Sequence, residues 1–159
     1  MQNHADHARQ LFLEGYNCAQ AVACAFTDVT GLDVETSARM VCSFGGGLGR
    51  LREVCGTVSG AAFVLGMACG YSDPRDSQAK TAHYHLIQRF AQLYREENGS
   101  IICRELLAGC PVKPGADPEE RTPEYYKKRP CAGLVWYAAH LVDMLLDEQG
   151  SKSTREASL

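Results

Sequence analysis

The chain is organised around apolar stripes at helical spacing, and four of those stripes begin with a cysteine. Cys18 precedes Ala21 and Val22, Cys55 precedes Val58 and Ser59, Cys103 precedes Leu106 and Leu107, and Cys131 precedes Leu134 and Val135. Residues three and four apart share a helix face, so each thiol belongs to the inward face of its segment and lies near a helix end. No segment alternates polar and apolar residues well enough to predict a strand. The pattern therefore restricts the chain to packed helices.

Glycine, proline and capping residues divide the segments. A first helix is predicted from His4 to Phe12, interrupted at Gly15. Asn17 is a good N-cap for a second, with Cys18, Ala21, Val22, Ala25 and Phe26 as its stripe. Asp28 to Asp33 reads as a connector and Val34 to Phe44 as a shorter helix. The run Gly45-Gly46-Gly47-Leu48-Gly49-Arg50 is too rich in glycine to stay helical and reads as a turn. Longer helices are predicted over Glu53 to Cys69 and Asp76 to Glu97, the second stopped by Asn98-Gly99. Ser100 can cap a short helix containing Cys103, and a last helix runs from Cys131 to Glu148. Between Cys110 and Pro130 lies a long loop rich in proline and charge, with one helical turn at Thr122-Pro123-Glu124. The expectation is an all-α, single-domain bundle of about five to seven helices over residues 1–150, followed by a disordered tail at 151–159.

Composition decides what such a bundle can be. At 159 residues and 45% hydrophobic content it can bury one sizeable core. A formal net charge of −3 with scattered basic residues gives no nucleic-acid footprint. No apolar run reaches the roughly 18 residues that would span a membrane. The first residues, MQNHADHARQLFLEG, lack the basic and apolar regions of a signal peptide, so a cytoplasmic setting is expected. In a reducing compartment, cysteines are metal ligands, catalytic groups or core residues more often than permanent disulfides.

A helix N-terminus offers unpaired N–H groups and a positive dipole end, both of which favour thiolate, while burial favours the neutral thiol. Thiolate is both the nucleophile and the metal ligand. Cys18, Cys55, Cys103 and Cys131 are therefore the candidate redox or metal residues, with packing as small hydrophobic groups the alternative. Cys24, Cys42, Cys69 and Cys110 lack the same position and read as packing residues. No C-x-x-C pair occurs, so the spacing matches no zinc-finger, ferredoxin or c-type haem pattern. Gly45, Gly46 and Gly47 could present N–H groups to an anion, and Arg50 beside them could balance a thiolate or an anionic cluster. Gly56 and Gly60 permit close approach of a helix or a cofactor to the Cys55 helix. The five histidines read as solvated side chains, and the 110–130 loop as a lid over the cysteines or a surface segment.

The segments Gly15-Tyr16-Asn17-Cys18-Ala19-Gln20-Ala21-Val22, Phe44-Gly45-Gly46-Gly47, Cys55-Gly56-Thr57-Val58-Ser59-Gly60, Cys103-Arg104-Glu105-Leu106-Leu107 and Arg129-Pro130-Cys131 resemble the C_GCAxxG_C_C family of redox-active proteins, a bacterial and archaeal group named for four cysteines. The resemblance spans roughly residues 5–147 and puts the family's cysteines on Cys18, Cys55, Cys103 and Cys131. Thr57 departs from it, standing where the family motif has alanine. A redox or metal-binding role is implied, but no reaction. Three readings stay open. The first is an iron–sulfur cluster, zinc or iron held by the four cysteines, in electron transfer to a redox partner or in metal handling. The second is a metal-free thiol–disulfide protein. The third is a helical interaction module with structural cysteines. A cluster shared across a homodimer would fit the spacings as well as one within the chain.

Overall fold

The computed structural model describes residues 3–158; Met1, Gln2 and Leu159, at the ends of the expected domain and tail, lie outside them. In chain order the helices are α1 (His4–Leu13), α2 (Cys18–Ala25), α3 (Thr27–Thr30), α4 (Val34–Val41), α5 (Gly56–Cys69), α6 (Ser77–Asn98), α7 (Cys103–Leu106), α8 (Pro123–Lys128) and α9 (Cys131–Ala157). A 3-10 turn over Cys42–Phe44 ends α4. Among the described residues there is no strand, only an isolated antiparallel bridge between Val54 and Ile102. The architecture is all-α, as the stripes require. Among the described residues no helix is long and apolar enough to cross a membrane.

The two helices at the centre differ from the rest. In α2, every residue except Cys18 and Gln20 is buried. The α5 helix has no polar face, and Val64 and Leu65 are fully buried in it. A helix that is apolar all round must be covered on all sides. The α2 helix packs against α1, α4, α5 and α9, while α5 also meets α6 and α9. Small residues let the central pair approach closely: a Cβ on Gly60 would stand 2.7 Å from the Ala19 carbonyl oxygen. Phe26, Val22, Leu65, Val135, Val142 and Leu145 fill the surrounding core.

Several boundaries differ from expectation. The helix predicted from Glu53 begins at Gly56, because residues 53–55 pair with 101–103 instead. The Cys55 N–H donates to the Ile101 carbonyl at 2.8 Å, and the Cys103 N–H to that of Glu53 at 2.6 Å. The connector after Phe26 closes into the short α3. The 110–130 segment contains the six-residue α8, with Thr122 accepting the Tyr125 N–H as its cap. The last helix does not stop near Glu148 but continues to Ala157. A lone glycine at 150 costs a helix about 1 kcal/mol and does not end it, and Ser151 donates back to the Asp147 carbonyl at 3.0 Å.

His4, expected to be solvated, instead joins three helices. Its Nδ1 lies 2.7 Å from Asp143 of α9 and its Nε2 2.9 Å from Asp28 of α3, while its ring stacks on Phe26 at 4.2 Å. Burial pulls its pKa down, but the hydrogen bonds and charges of the two aspartates outweigh that, and the net shift is upward. A group whose pKa is raised by folding stabilises the folded state fully below its unfolded pKa and loses that contribution as pH rises through the folded one. Stability measured by chemical denaturation therefore falls on going from pH 5.5 to pH 7.5, below the range in which thiols ionise, and His4→Gln removes most of that difference. An equal fall in the variant would show that the two carboxylates do not hold a charged His4.

Candidate functional site

The four helix starts meet. Cys18, Cys103 and Cys131 are the first residues of α2, α7 and α9, and Cys55 is the N-cap of α5. All four line one cavity of about 60 Å³ within a single chain. Phe12, Leu106, Leu107 and Leu134 supply its apolar wall, and Arg52, Arg121, Tyr125 and Arg129 its polar side. The 110–130 segment contributes Arg121, Tyr125 and Arg129, so it covers the thiols.

Each sulfur is placed by local chemistry. Asn17 accepts the Gln20 N–H at 2.9 Å and Gln20 returns a bond to the Asn17 N–H, a reciprocal cap that fixes where α2 and Cys18 begin. The Asn17 amide also donates to the Cys42 carbonyl at 3.1 Å, tying this cap to the end of α4. The Gly46 N–H bonds to the Cys18 thiol. A Cβ on Gly56 would collide with the Cys18 sulfur, and one on Gly47 would lie 2.8 Å from Cys103 Cβ. Gly45 leaves the same kind of room for the Asn17 side chain. Cys55 Sγ has Thr57 Oγ1 at 3.2 Å and Tyr94 Oη at 3.7 Å, and those two hydroxyls are 2.9 Å apart. Arg52 Nη1 is 3.8 Å from Cys103 Sγ.

The glycine-rich run does more than turn. Gly46, Gly47, Leu48, Gly49 and Arg50 all have φ between 53° and 70°. They form a left-handed turn closed by bonds from the Arg50 N–H to the Gly45 carbonyl and from the Glu53 N–H to that of Gly47. Leu48, Arg50 and Arg52 adopt this conformation without being glycine, at roughly 1–2 kcal/mol per residue. Strain of this kind persists where the surroundings hold the backbone in place.

Burial wins the contest for the thiol protons. It pushes Cys18 up to about 12, with the Cys55 charge adding to it and the Gly46 N–H opposing. Cys131 also rises to about 12 through burial and the Cys55 charge, against the pull of Arg129. Cys103 rises for the same first reason, opposed by its Arg52 hydrogen bond. The helix termini therefore position these thiols without ionising them. A bound cation would have to supply the deprotonation, releasing protons as it binds. Among the described residues, no three His, Cys, Asp or Glu side chains form a group that could hold a metal ion as they stand.

Arg50 is not where its sequence position suggests. Its guanidinium donates to the carbonyls of Lys113, Gly115 and Asp117 and meets Glu119 at 3.1 Å, anchoring the covering loop rather than facing a thiol. The basic residues beside the sulfurs are Arg52, Arg121 and Arg129. Arg129 stacks 4.4 Å over Tyr125 and binds Glu119, and Arg121 donates to the carbonyls of Phe12 and Tyr16 at 3.2 and 3.1 Å. Arg129 sits two residues before Cys131, a spacing visible in the sequence; nothing local marks Arg121. Tyr94 reads from the stripe of its helix only as a core residue.

A family model described as "Putative redox-active protein (C_GCAxxG_C_C)" matches residues 16–145. No curated protein and no solved structure matches the chain.

The glycine contacts can be checked directly. Gly56→Ala forces the Cys18 sulfur or α5 to move, and overpacking of this kind costs typically about 1–3 kcal/mol in chemical denaturation. Gly133→Ala, near the start of α9 with open space around it, instead stabilises by up to about 1 kcal/mol. Equal effects at the two glycines would remove the close-approach argument. In the metal-free reduced protein, iodoacetamide at pH 8 modifies exposed Cys42 well before Cys18 and Cys131, as read by peptide mass mapping.

Proposed function

The chain belongs to the C_GCAxxG_C_C family, and we propose that it is an electron-transfer protein whose centre is an iron–sulfur cluster held by Cys18, Cys55, Cys103 and Cys131. The observation that carries this reading is the convergence of four cysteine-headed helix starts on one largely apolar cavity. All four thiols line that one cavity, whose remaining wall is mostly apolar. The donor set is all sulfur, the choice of iron–sulfur and other thiophilic centres.

Charge supports the same reading. Four thiolates make an anionic site, and Arg52, Arg121 and Arg129 lie close enough to favour the charged form of Cys103 or Cys131. A metal-free dithiol exchanger needs an accessible thiolate. Burial holds the Cys18, Cys103 and Cys131 thiols in the protonated form.

When bound, the cluster would supply one-electron storage at a potential set by its surroundings. The residues of the chain do the rest. Gly56 and Gly47 leave the volume that Cys18 and Cys103 occupy. Phe12, Leu106, Leu107 and Leu134 give the cavity its apolar wall. The Thr57 and Tyr94 hydroxyls sit against the Cys55 sulfur, where a donated proton would draw electron density from it. The arginines on the polar side offset negative charge. An electron partner, protein or small molecule, completes the cycle.

Anaerobic reconstitution with ferrous iron and sulfide tests the proposal. The protein takes up iron and acid-labile sulfide together and gains a broad visible absorption. Serine at any one of the four cysteines lowers iron content several-fold, while Cys24→Ser and Cys69→Ser leave it unchanged. A folded protein that stays colourless and iron-free, or that binds only zinc, sinks the cluster assignment. In the loaded protein, Thr57→Ala keeps the iron content and lowers the reduction potential by tens of millivolts, because a hydrogen bond to sulfur is lost.

A further inference from the structure

A second and larger chamber, of about 550 Å³, lies against the thiol cavity. Arg52, Arg121, Tyr125 and Arg129 line both spaces, so one polar wall separates them. The left-handed turn forms one side of the chamber, through Gly46, Gly49 and Arg50, and Ala116, Pro118 and Glu119 of the covering loop form another. Its volume falls in the range of small-molecule sites, roughly 300–1,000 Å³.

The lining is strongly biased in charge. Four guanidinium groups, of Arg50, Arg52, Arg121 and Arg129, face one carboxylate, Glu119. Arginine keeps its charge at any ordinary pH, so the excess is permanent. Burial pushes the Glu119 carboxyl up, but the Arg129 hydrogen bond and the charges of Arg129 and Arg50 overcome that and leave it below the usual range. One ionised carboxylate therefore answers four cations. The cations are also screened from water: the side chains of Arg50, Arg52 and Arg129 are 13, 16 and 5% exposed.

The four arginines are not equivalent. Arg50 is engaged by three carbonyls of the covering loop, Arg121 by the carbonyls of Phe12 and Tyr16, and Arg129 by Glu119, the Pro111 carbonyl and the Tyr125 hydroxyl. Arg52 has looser contacts. Its guanidinium meets Cys103 Sγ at 3.8 Å and Glu119 at 3.6 Å, neither of them a short bond. Its backbone is held at φ 62°, in the region that non-glycine residues avoid, and its side chain lies on the shared wall.

We propose that this chamber binds a small, multiply charged oxyanion, with Arg52 as the recognising fork and Arg121 and Arg129 supplying the field. Planar guanidinium forks match carboxylate and phosphate oxygens in pairs. Inorganic phosphate and a short dicarboxylate share this chemistry, and both fit the volume. A bound anion would sit across the wall from Cys103 and cover the approach to the thiols. The binding claim stands on the chamber and does not need the cluster.

The test uses the full-length, reduced, metal-free protein, so that a failed cluster reconstitution leaves it intact and its own failure leaves the cluster assignment standing. Calorimetry at low ionic strength is run with inorganic phosphate, with malonate and with the neutral malonamide. One anion binds per chain and malonamide does not bind. Arg52→Gln weakens the anion at least tenfold, and Arg52→Lys, which keeps charge but loses the fork, falls between. The bound anion also slows alkylation of Cys103. Binding of phosphate alone assigns an inorganic oxyanion, and binding of malonate alone an organic acid. The proposal is overturned if neither anion binds, if malonamide binds as well as malonate, or if both Arg52 variants bind like the wild type. Should Arg52→Gln fail to fold, Arg52→Lys decides alone.

Discussion

The closeness of α2 to α5 is the constraint on which the rest depends. Gly56 and Gly60 remove two side chains from α5 where Cys18 and Ala19 of α2 press against it. Neither helix has a polar face: Gln20 of α2 turns its amide to the Ala38 carbonyl, and Thr57 of α5 is buried. The other helices must then wrap them, which is why α1, α4 and α9 all pack on an eight-residue helix. The same contact brings the N-terminus of α2 beside that of α5. Two of the four sulfurs are neighbours because two helices cross at glycine.

The other two sulfurs arrive by different means. Cys103 is delivered by the short pairing of residues 53–55 with 101–103, which stops α5 from starting earlier and lays α7 against the left-handed turn. Cys131 begins α9, whose long apolar face covers α1, α2, α5 and α6. The left-handed turn joins these parts. It brings an N–H to Cys18, makes room for Cys103 and directs Arg50 and Arg52 to opposite tasks, one anchoring the loop and one facing sulfur. Strain at three non-glycine residues is held in place by hydrogen bonds and buried ion pairs around it.

Electrostatics divides the site in two. Apolar burial keeps lone thiols protonated, so the cavity resists ionised sulfur unless a cation arrives with it. Four arginines on the adjoining wall favour negative charge, and among the described residues lining the chamber Glu119 is the one carboxylate that answers them. Such a wall is costly to bury without anionic partners, and the chamber beside it is open to receive one. The covering segment links the two halves, since Arg121, Tyr125 and Arg129 belong to both spaces.

Local sequence determined what local physics controls. The stripes behind Cys18, Cys55, Cys103 and Cys131 specified helices and placed each thiol at a helix start, because a 3.6-residue period and a capping residue act within a few positions. Asn17, Asp76 and Thr122 announced their helix starts in the same way. Tertiary structure decided what depends on residues far apart in the chain. The pairing of 53–55 with 101–103 moved the start of α5, and carbonyls at 113–117 drew Arg50 away from the thiols. Distant carboxylates turned His4 from a solvated residue into a link between helices, and Arg121 reached the sulfurs from a loop with no motif of its own. Whether the four thiols met was of this second kind. A helix start fixes the direction of a side chain, whereas a shared cavity depends on how whole helices cross.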